Sequence, residues 1–264
     1  SRGFDDANSV TLTRSLVLAT TGVASSAGRT GDPRIHALDR QSGRVVWSAD
    51  PADIDPALVG AAVRGPLLVD GSTVIATVRK RVPQRRLVSV YLVGLDLATG
   101  ARRWVTTIGS AGEQSSSRLG RATEGAILYR GIVYRSDDVG VIAAVEASGG
   151  RMVWTRRIPA ATILGPIESW PYAAVLPIAD EQGLVALTPD RLDIVRLDLA
   201  TGRTLASRSA AALEQPKFIV RVGNDLAAVG DRRVAFVDFR NFDTAPVRAS
   251  APFDTDSPSG RVAG

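Results

Sequence analysis

Leu95-Asp96-Leu97-Ala98-Thr99-Gly100 recurs without change as Leu197-Asp198-Leu199-Ala200-Thr201-Gly202, and looser copies stand at Leu38–Gly43 and Val145–Gly150. Three of these copies run on to a tryptophan four residues after the last glycine, at Trp47, Trp104 and Trp154; after Gly202 the same place holds Ala206. The glycines Gly43, Gly100, Gly150 and Gly202 lie 57, 50 and 52 residues apart. That period is too long for a leucine-rich or helical solenoid and suits one four-stranded propeller blade.

The chemistry of the motif points the same way. Val90-Tyr91-Leu92-Val93 precedes the turn at Asp96–Gly100, and Trp104-Val105-Thr106-Thr107-Ile108 follows it, so two strand-forming runs flank turn residues. An aspartate opening a tight turn accepts bonds from backbone N–H groups just ahead, and a glycine closing it takes a positive φ without a Cβ clash. The repeat elements are therefore Asp39, Gly43 and Trp47; Asp96, Gly100 and Trp104; Gly150 and Trp154; and Asp198 and Gly202. A tryptophan on the outgoing strand can fill the wedge between neighbouring blades, a packing role rather than a catalytic one.

Five blade-sized units follow, over about residues 9–50, 61–108, 120–158, 172–207 and 217–248. In the first, Val10–Ala19 reads as strand; in the second, Asp70-Gly71 reads as a hairpin turn. The fifth has Phe239-Arg240-Asn241-Phe242 where the turn motif should be and reads as degenerate. Helix is expected only as a turn or so at Ser209–Glu214. The fold class is all-β, a β-propeller of four-stranded antiparallel blades forming one domain over residues 1–250, with a flexible tail at 251–264. Composition agrees, with 25 Gly, 14 Pro and no apolar run of 18 residues that could cross a bilayer.

The pattern resembles the quinoprotein-type, or PQQ-like, propeller repeat, in which Ala-Leu-Asp-x-x-Thr-Gly-x-x-x-Trp closes the outer hairpin of each blade; Ala37–Trp47 follows it almost throughout. The resemblance implies a ring of seven or eight blades, so these five are either a compact ring of their own or part of a longer protein, and the second is the expectation. It also implies a bacterial extracytoplasmic setting, the periplasm or cell envelope. Within the family, the enzymes bind pyrroloquinoline quinone with a metal under a vicinal disulfide. With no Cys in the sequence that disulfide cannot form. The resemblance is nearest to the non-enzymatic scaffold propellers of outer-membrane β-barrel assembly, which implies a protein partner.

Other chemistry finds little footing. His36 is the single histidine, too few for a zinc site without cysteine, and no Gly-x-Ser-x-Gly elbow accompanies it. Asp137-Asp138 reads as a turn, since two carboxylates are too few for calcium. No catalytic, cofactor-binding or metal-binding residue is assigned. Net charge is +5, and Arg79, Lys80, Arg81, Arg85 and Arg86 cluster within eight residues of a hairpin. Such a loop can attract a protein partner, an anionic lipid or another polyanion, or simply keep a hairpin soluble. Nucleic acid is disfavoured, because no aromatic residues are interleaved to stack bases. Trp170, out of register with the repeat, is a further candidate for partner contact. The expected function is a non-catalytic scaffold or adaptor; the alternatives are a quinone-dependent dehydrogenase with ligands elsewhere, and a polyanion-binding module.

Overall fold

A computed structural model of the chain describes residues 10–21, 33–112, 125–137, 139–158, 176–188, 192–213, 215–216, 218–230 and 232–249. Its strands form five four-stranded sheets, each an antiparallel meander in chain order. The first holds β1 (Val10–Leu12), β2 (Leu16–Thr21), β3 (Arg34–Asp39) and β4 (Val45–Ala49). The second holds β5 (Ala62–Asp70), β6 (Thr73–Val82), β7 (Leu87–Asp96) and β8 (Arg102–Gly112). In the third are β9 (Gly125–Tyr129), β10 (Ile132–Asp137), β11 (Val141–Glu146) and β12 (Met152–Arg157). The fourth comprises β13 (Ile178–Asp180), β14 (Gly183–Leu187), β15 (Asp193–Leu197) and β16 (Thr204–Ser209). The fifth comprises β17 (Phe218–Val222), β18 (Asp225–Val229), β19 (Val234–Asp238) and β20 (Arg248–Ala249).

Period-two alternation gives every inner sheet two apolar faces, and each face is buried against the next sheet. Four apolar cores result, joining the first sheet to the second, the second to the third, the third to the fourth and the fourth to the fifth. The leading strands approach one another in turn, β1 against β5, β5 against β9 and β9 against β13, so they line the inner side of the succession. Among the described residues no apolar core joins the fifth sheet to the first.

Two local expectations need correction. Val10–Ala19 is two strands, because Thr13 Oγ1 accepts the N–H of Leu16 at 2.8 Å and turns the chain at residues 13–15. A short helix, α1 (Pro51–Ile54), followed by a single 3-10 turn at Pro56–Leu58, links the first two sheets. Asp50 and Asp55 cap these turns, accepting the N–H of Ala52 and of Ala57 at 2.8 Å each, and a proline occupies the first helical position in both. Ile54 and Leu58 then complete the core between the first and second sheets. A 3-10 turn at Ala210–Leu213 occupies the stretch read as a helical turn, and it packs into the core between the fourth and fifth sheets.

Candidate interaction surfaces

The turn of each motif is built by its acid. Asp96 Oδ1 accepts the N–H groups of Ala98 and Thr99 and the Thr99 hydroxyl, each at 3.0 Å. Asp198 does the same with Ala200 and Thr201, and Asp39 with Ser42. These bonds favour the ionised form. The Ser42 hydroxyl holds Asp39 below the usual carboxylate range, Arg103 and then Thr99 do so for Asp96, and Thr201 for Asp198. The fifth sheet keeps this device under a different spelling. Asp238 Oδ1 accepts the N–H groups of Arg240 and Asn241 and the Asn241 amide, so the stretch read as degenerate is a motif turn with Asn in place of Thr or Ser. The signal missed in the sequence is the Asp-x-x-Asn spacing, which supports the same Asx turn.

The residue after each acid works in two directions. Its N–H donates within its own sheet, from Arg40 to Ser15, Leu97 to Ser72, Ala147 to Gly131 and Phe239 to Asn224. Its carbonyl faces the preceding sheet. There the indole N–H of Trp47 donates to Leu97 at 2.9 Å, that of Trp104 to Ala147 at 3.1 Å and that of Trp154 to Leu199 at 2.9 Å. Each tryptophan lies flat against the glycine that closes the receiving turn. A Cβ on Gly100, Gly150 or Gly202 would stand 2.6, 2.5 or 2.7 Å from the ring of Trp47, Trp104 or Trp154. Each tryptophan also needs a small residue opposite it in its own sheet, and the pairs are Ala37 with Trp47, Gly94 with Trp104 and Ala144 with Trp154.

At the seam between the fourth and fifth sheets every one of these sizes is exchanged. Ala206 stands at the tryptophan position, and its cross-strand partner is Arg196. The Arg196 guanidinium crosses to the fifth sheet and donates to the carbonyls of Phe239 and Arg240. Phe239 is the residue after the turn acid, so Arg196 supplies the donor that indole supplies elsewhere. Phe242 occupies the place of the closing glycine and is fully buried in the core against which Ala206 packs. The guanidinium carbon lies 5.3 and 5.4 Å from the ring centres of Phe239 and Phe242. Burial lowers the Arg196 pKa, the desolvation cost of placing a cation there. Arg208 adds bonds to the carbonyls of Phe242 and Ala245 at 2.6 and 2.8 Å.

The basic run falls on the hairpin from β6 to β7, whose ladder extends to Val82 opposite Leu87. Lys80 is drawn back to the Ala57 carbonyl at 2.8 Å. Arg79 lies half-buried on the same hairpin; Arg81 is exposed beside it, and Arg85 and Arg86 are exposed at the tip, where Arg86 adopts φ of 48°. Trp170 and Asp138 lie outside the described residues. Asp137 is buried, its Oδ1 accepting the N–H of Val139 at 3.0 Å and its Oδ2 lying 3.4 Å from Arg135 Nε. Arg135 in turn donates to Thr77 of the second sheet at 2.9 Å, so this ion pair belongs to a seam. The His36 ring nitrogens lie 3.0 Å from Thr21 Oγ1 and 3.1 Å from Ser48 Oγ.

A quinone cofactor with its metal needs a cluster of carboxylate or imidazole donors, and among the described residues no three His, Cys, Asp or Glu side chains gather to hold a metal. The motif acids are spent on their own turns. The described residues do not fit that group.

Five four-stranded meanders, joined at three of their four seams by a tryptophan from one sheet in a glycine-closed turn of the next and at the fourth by Arg196, define a β-propeller of the PQQ-like repeat class. A model of the family described as outer membrane protein assembly factor BamB matches residues 7–208, and the chain belongs to that family. No curated protein sequence matches it. Among solved structures, BamB from Moraxella catarrhalis is similar over 94% of this chain at 19% identity, with a TM-score of 0.56. The quinohemoprotein alcohol dehydrogenases of Comamonas testosteroni and of Pseudomonas putida HK5 (ADHIIG) share the fold at 16% and 13% identity over 76% and 92% of the chain, with TM-scores of 0.52 and 0.55. This chain spans 61% of the length of that BamB structure, and 35% and 41% of the two dehydrogenases.

Proposed function

We propose that this chain is a non-catalytic propeller scaffold that binds a protein partner in the bacterial cell envelope. The observation that carries the reading is where the motif side chains go. The aspartates of the motif turns hold those turns and the described tryptophans hold the next sheet, so the repeat builds a rigid platform and leaves loops and open faces for contact. Membership in the BamB family supports an adaptor role. No helix among the described residues is long and apolar enough to cross a membrane. The test has two arms. A photo-crosslinking residue placed at Arg85 or Arg86 in the producing cells should give one discrete adduct with an envelope protein. Pyrroloquinoline quinone with calcium, titrated into the purified chain, should leave its tryptophan fluorescence unchanged. Saturable quinone binding with no adduct would overturn the reading in favour of a dehydrogenase-like protein.

The exposed cations Arg81, Arg85 and Arg86 favour a second reading, in which the hairpin tip engages anionic lipid. Flotation with vesicles containing phosphatidylglycerol should then show binding that weakens with salt and is lost when Arg85 and Arg86 are neutralised. Binding to neutral vesicles alone would contradict it.

A further inference from the structure

Several hairpin turns of this chain match an arginine to an acid: Arg103 meets Asp96 at 2.6 Å, Arg130 meets Glu181 at 3.1 Å and Arg151 meets Glu146 at 3.3 Å. The tip between β6 and β7 is built otherwise. Arg85 and Arg86 are both exposed there, and among the described residues neither forms an ion pair. Arg86 also takes φ of 48°, a left-handed conformation that glycine would hold at less cost. The chain bears backbone strain to keep an exposed guanidinium at that place.

The hairpin that carries this pair is stiff. β6, β7 and β8 have 10, 10 and 11 residues, where their counterparts β10, β11 and β12 have 6 each. The β6–β7 ladder runs without a register shift from Thr73 opposite Asp96 to Val82 opposite Leu87, and β8 continues beside it to Gly112 opposite Leu87. The Ser89 and Ser110 hydroxyls bond at 2.8 Å, and Lys80 is tied to the Ala57 carbonyl, so the tip ends a braced three-stranded prong. Two residues beyond that carbonyl Val59 is 56% exposed, an apolar contact at the foot of the prong.

We propose that this prong docks an acidic, extended segment of the partner protein, with carboxylates on Arg85 and Arg86 and an apolar side chain against Val59. This rests on the scaffold reading and specifies the chemistry of its partner. A guanidinium offers five N–H donors in a planar fork that takes a carboxylate through two parallel bonds, which lysine does not reproduce. Arginine clusters are a recurring means of holding acidic motifs, and a braced pair loses little freedom on binding. A membrane surface fits the tip less well. It attracts cations one by one and holds a protein firmly only when an apolar anchor inserts as well, and between Val82 and Leu87 stand only Pro83, Gln84 and the two arginines.

Photo-crosslinking with the full chain in the producing cells tests it. The reactive residue is placed at exposed Gln84, at Val59 or, for comparison, at exposed Ala98 in the motif turn at the other end of β7. Gln84 and Val59 should give adducts with the same protein, and mass spectrometry should map both to one segment rich in Asp and Glu. A synthetic peptide of that segment should bind the purified chain with an affinity that falls as salt rises. Arg85→Glu combined with Arg86→Glu should weaken that binding about hundredfold, and Arg85→Lys combined with Arg86→Lys about tenfold, since charge is kept but the fork is lost. Both side chains are exposed, so far-UV circular dichroism should be unchanged and should exclude misfolding as the cause. An adduct from Ala98 alone would overturn this inference and leave the scaffold reading standing. A mapped segment without acidic residues, or a peptide that binds the double Glu variant as tightly as the wild type, would also overturn it. No adduct at Gln84 or Val59 together with binding to phosphatidylglycerol vesicles would give the tip to lipid instead. Failure of the scaffold reading shows separately, as saturable quinone binding with no adduct at any position.

Discussion

The seam between the second and third sheets and the seam between the fourth and fifth solve one problem with opposite residues. At the first, a large ring from Trp104 lies between Gly94 in its own sheet and Gly150 in the next, and donates to Ala147. At the second, the small residue is Ala206, the large ones are Arg196 and Phe242, and the donation goes to Phe239. What the repeat demands is therefore a filled wedge and a donor aimed at one carbonyl. Tryptophan is one way to meet that demand, and the exchange works because all three positions change together.

The comparison breaks most readily at its tryptophans. Trp104→Ala removes a buried ring and leaves both glycines facing a void, for an expected loss of about 3–5 kcal/mol, measured by urea denaturation. Arg196→Met keeps volume at the other seam but leaves the Phe239 and Arg240 carbonyls without their donor, and should cost about 1–3 kcal/mol.

The exchange itself can be reversed. Ala206→Trp alone should destabilise by about 1–3 kcal/mol, because the new ring competes with Arg196 and Phe242 for one volume. The same substitution combined with Arg196→Ala and Phe242→Gly should recover most of that loss, since neighbours that share a cavity are not additive. Additive losses in the triple variant would show that the two seams are not interchangeable solutions.

The smallest effect concerns the turns. Asp39, Asp96 and Asp198 have pKa values lowered in the folded state, so the folded chain holds these protons less readily than the unfolded chain. Their stabilisation is present in full above the ordinary carboxylate value near 3.8 and is lost as pH falls through the lower folded values. Melting temperatures should therefore drop below about pH 4, and Asp96→Asn should shrink that drop slightly. A rise in stability over the same acid window would contradict the assignment.

Much of this was legible in the sequence because the motif repeats its residues with its geometry. Asp96 and Asp198 announce their turns by the threonine three places on, and Trp47, Trp104 and Trp154 mark the outgoing strands by spacing alone. The fold class, the number of sheets and the family follow from that. The Arg196 seam was not legible, since an arginine in a strand and a phenylalanine in a turn acquire meaning only when cross-strand register puts one opposite Ala206 and the other across the seam. Asp238 was hidden by the phenylalanines around it, although its partner Asn241 keeps the spacing. The links at Asp50-Pro51 and Asp55-Pro56 carried a readable capping signal in a stretch too short for helical periodicity to appear.

The central claim, that each tryptophan is seated by the glycine of the following sheet, is tested most directly by a double-mutant cycle on Trp104 and Gly150, read by urea denaturation with Gly43→Ala as the reference. Gly43→Ala should cost only the backbone penalty of a left-handed conformation, about 1 kcal/mol. Gly150→Ala should cost more than Gly43→Ala while Trp104 is present, because the added Cβ meets the ring, and should fall to the Gly43→Ala value in the Trp104→Ala background. Equal costs for Gly150→Ala in both backgrounds would contradict the account.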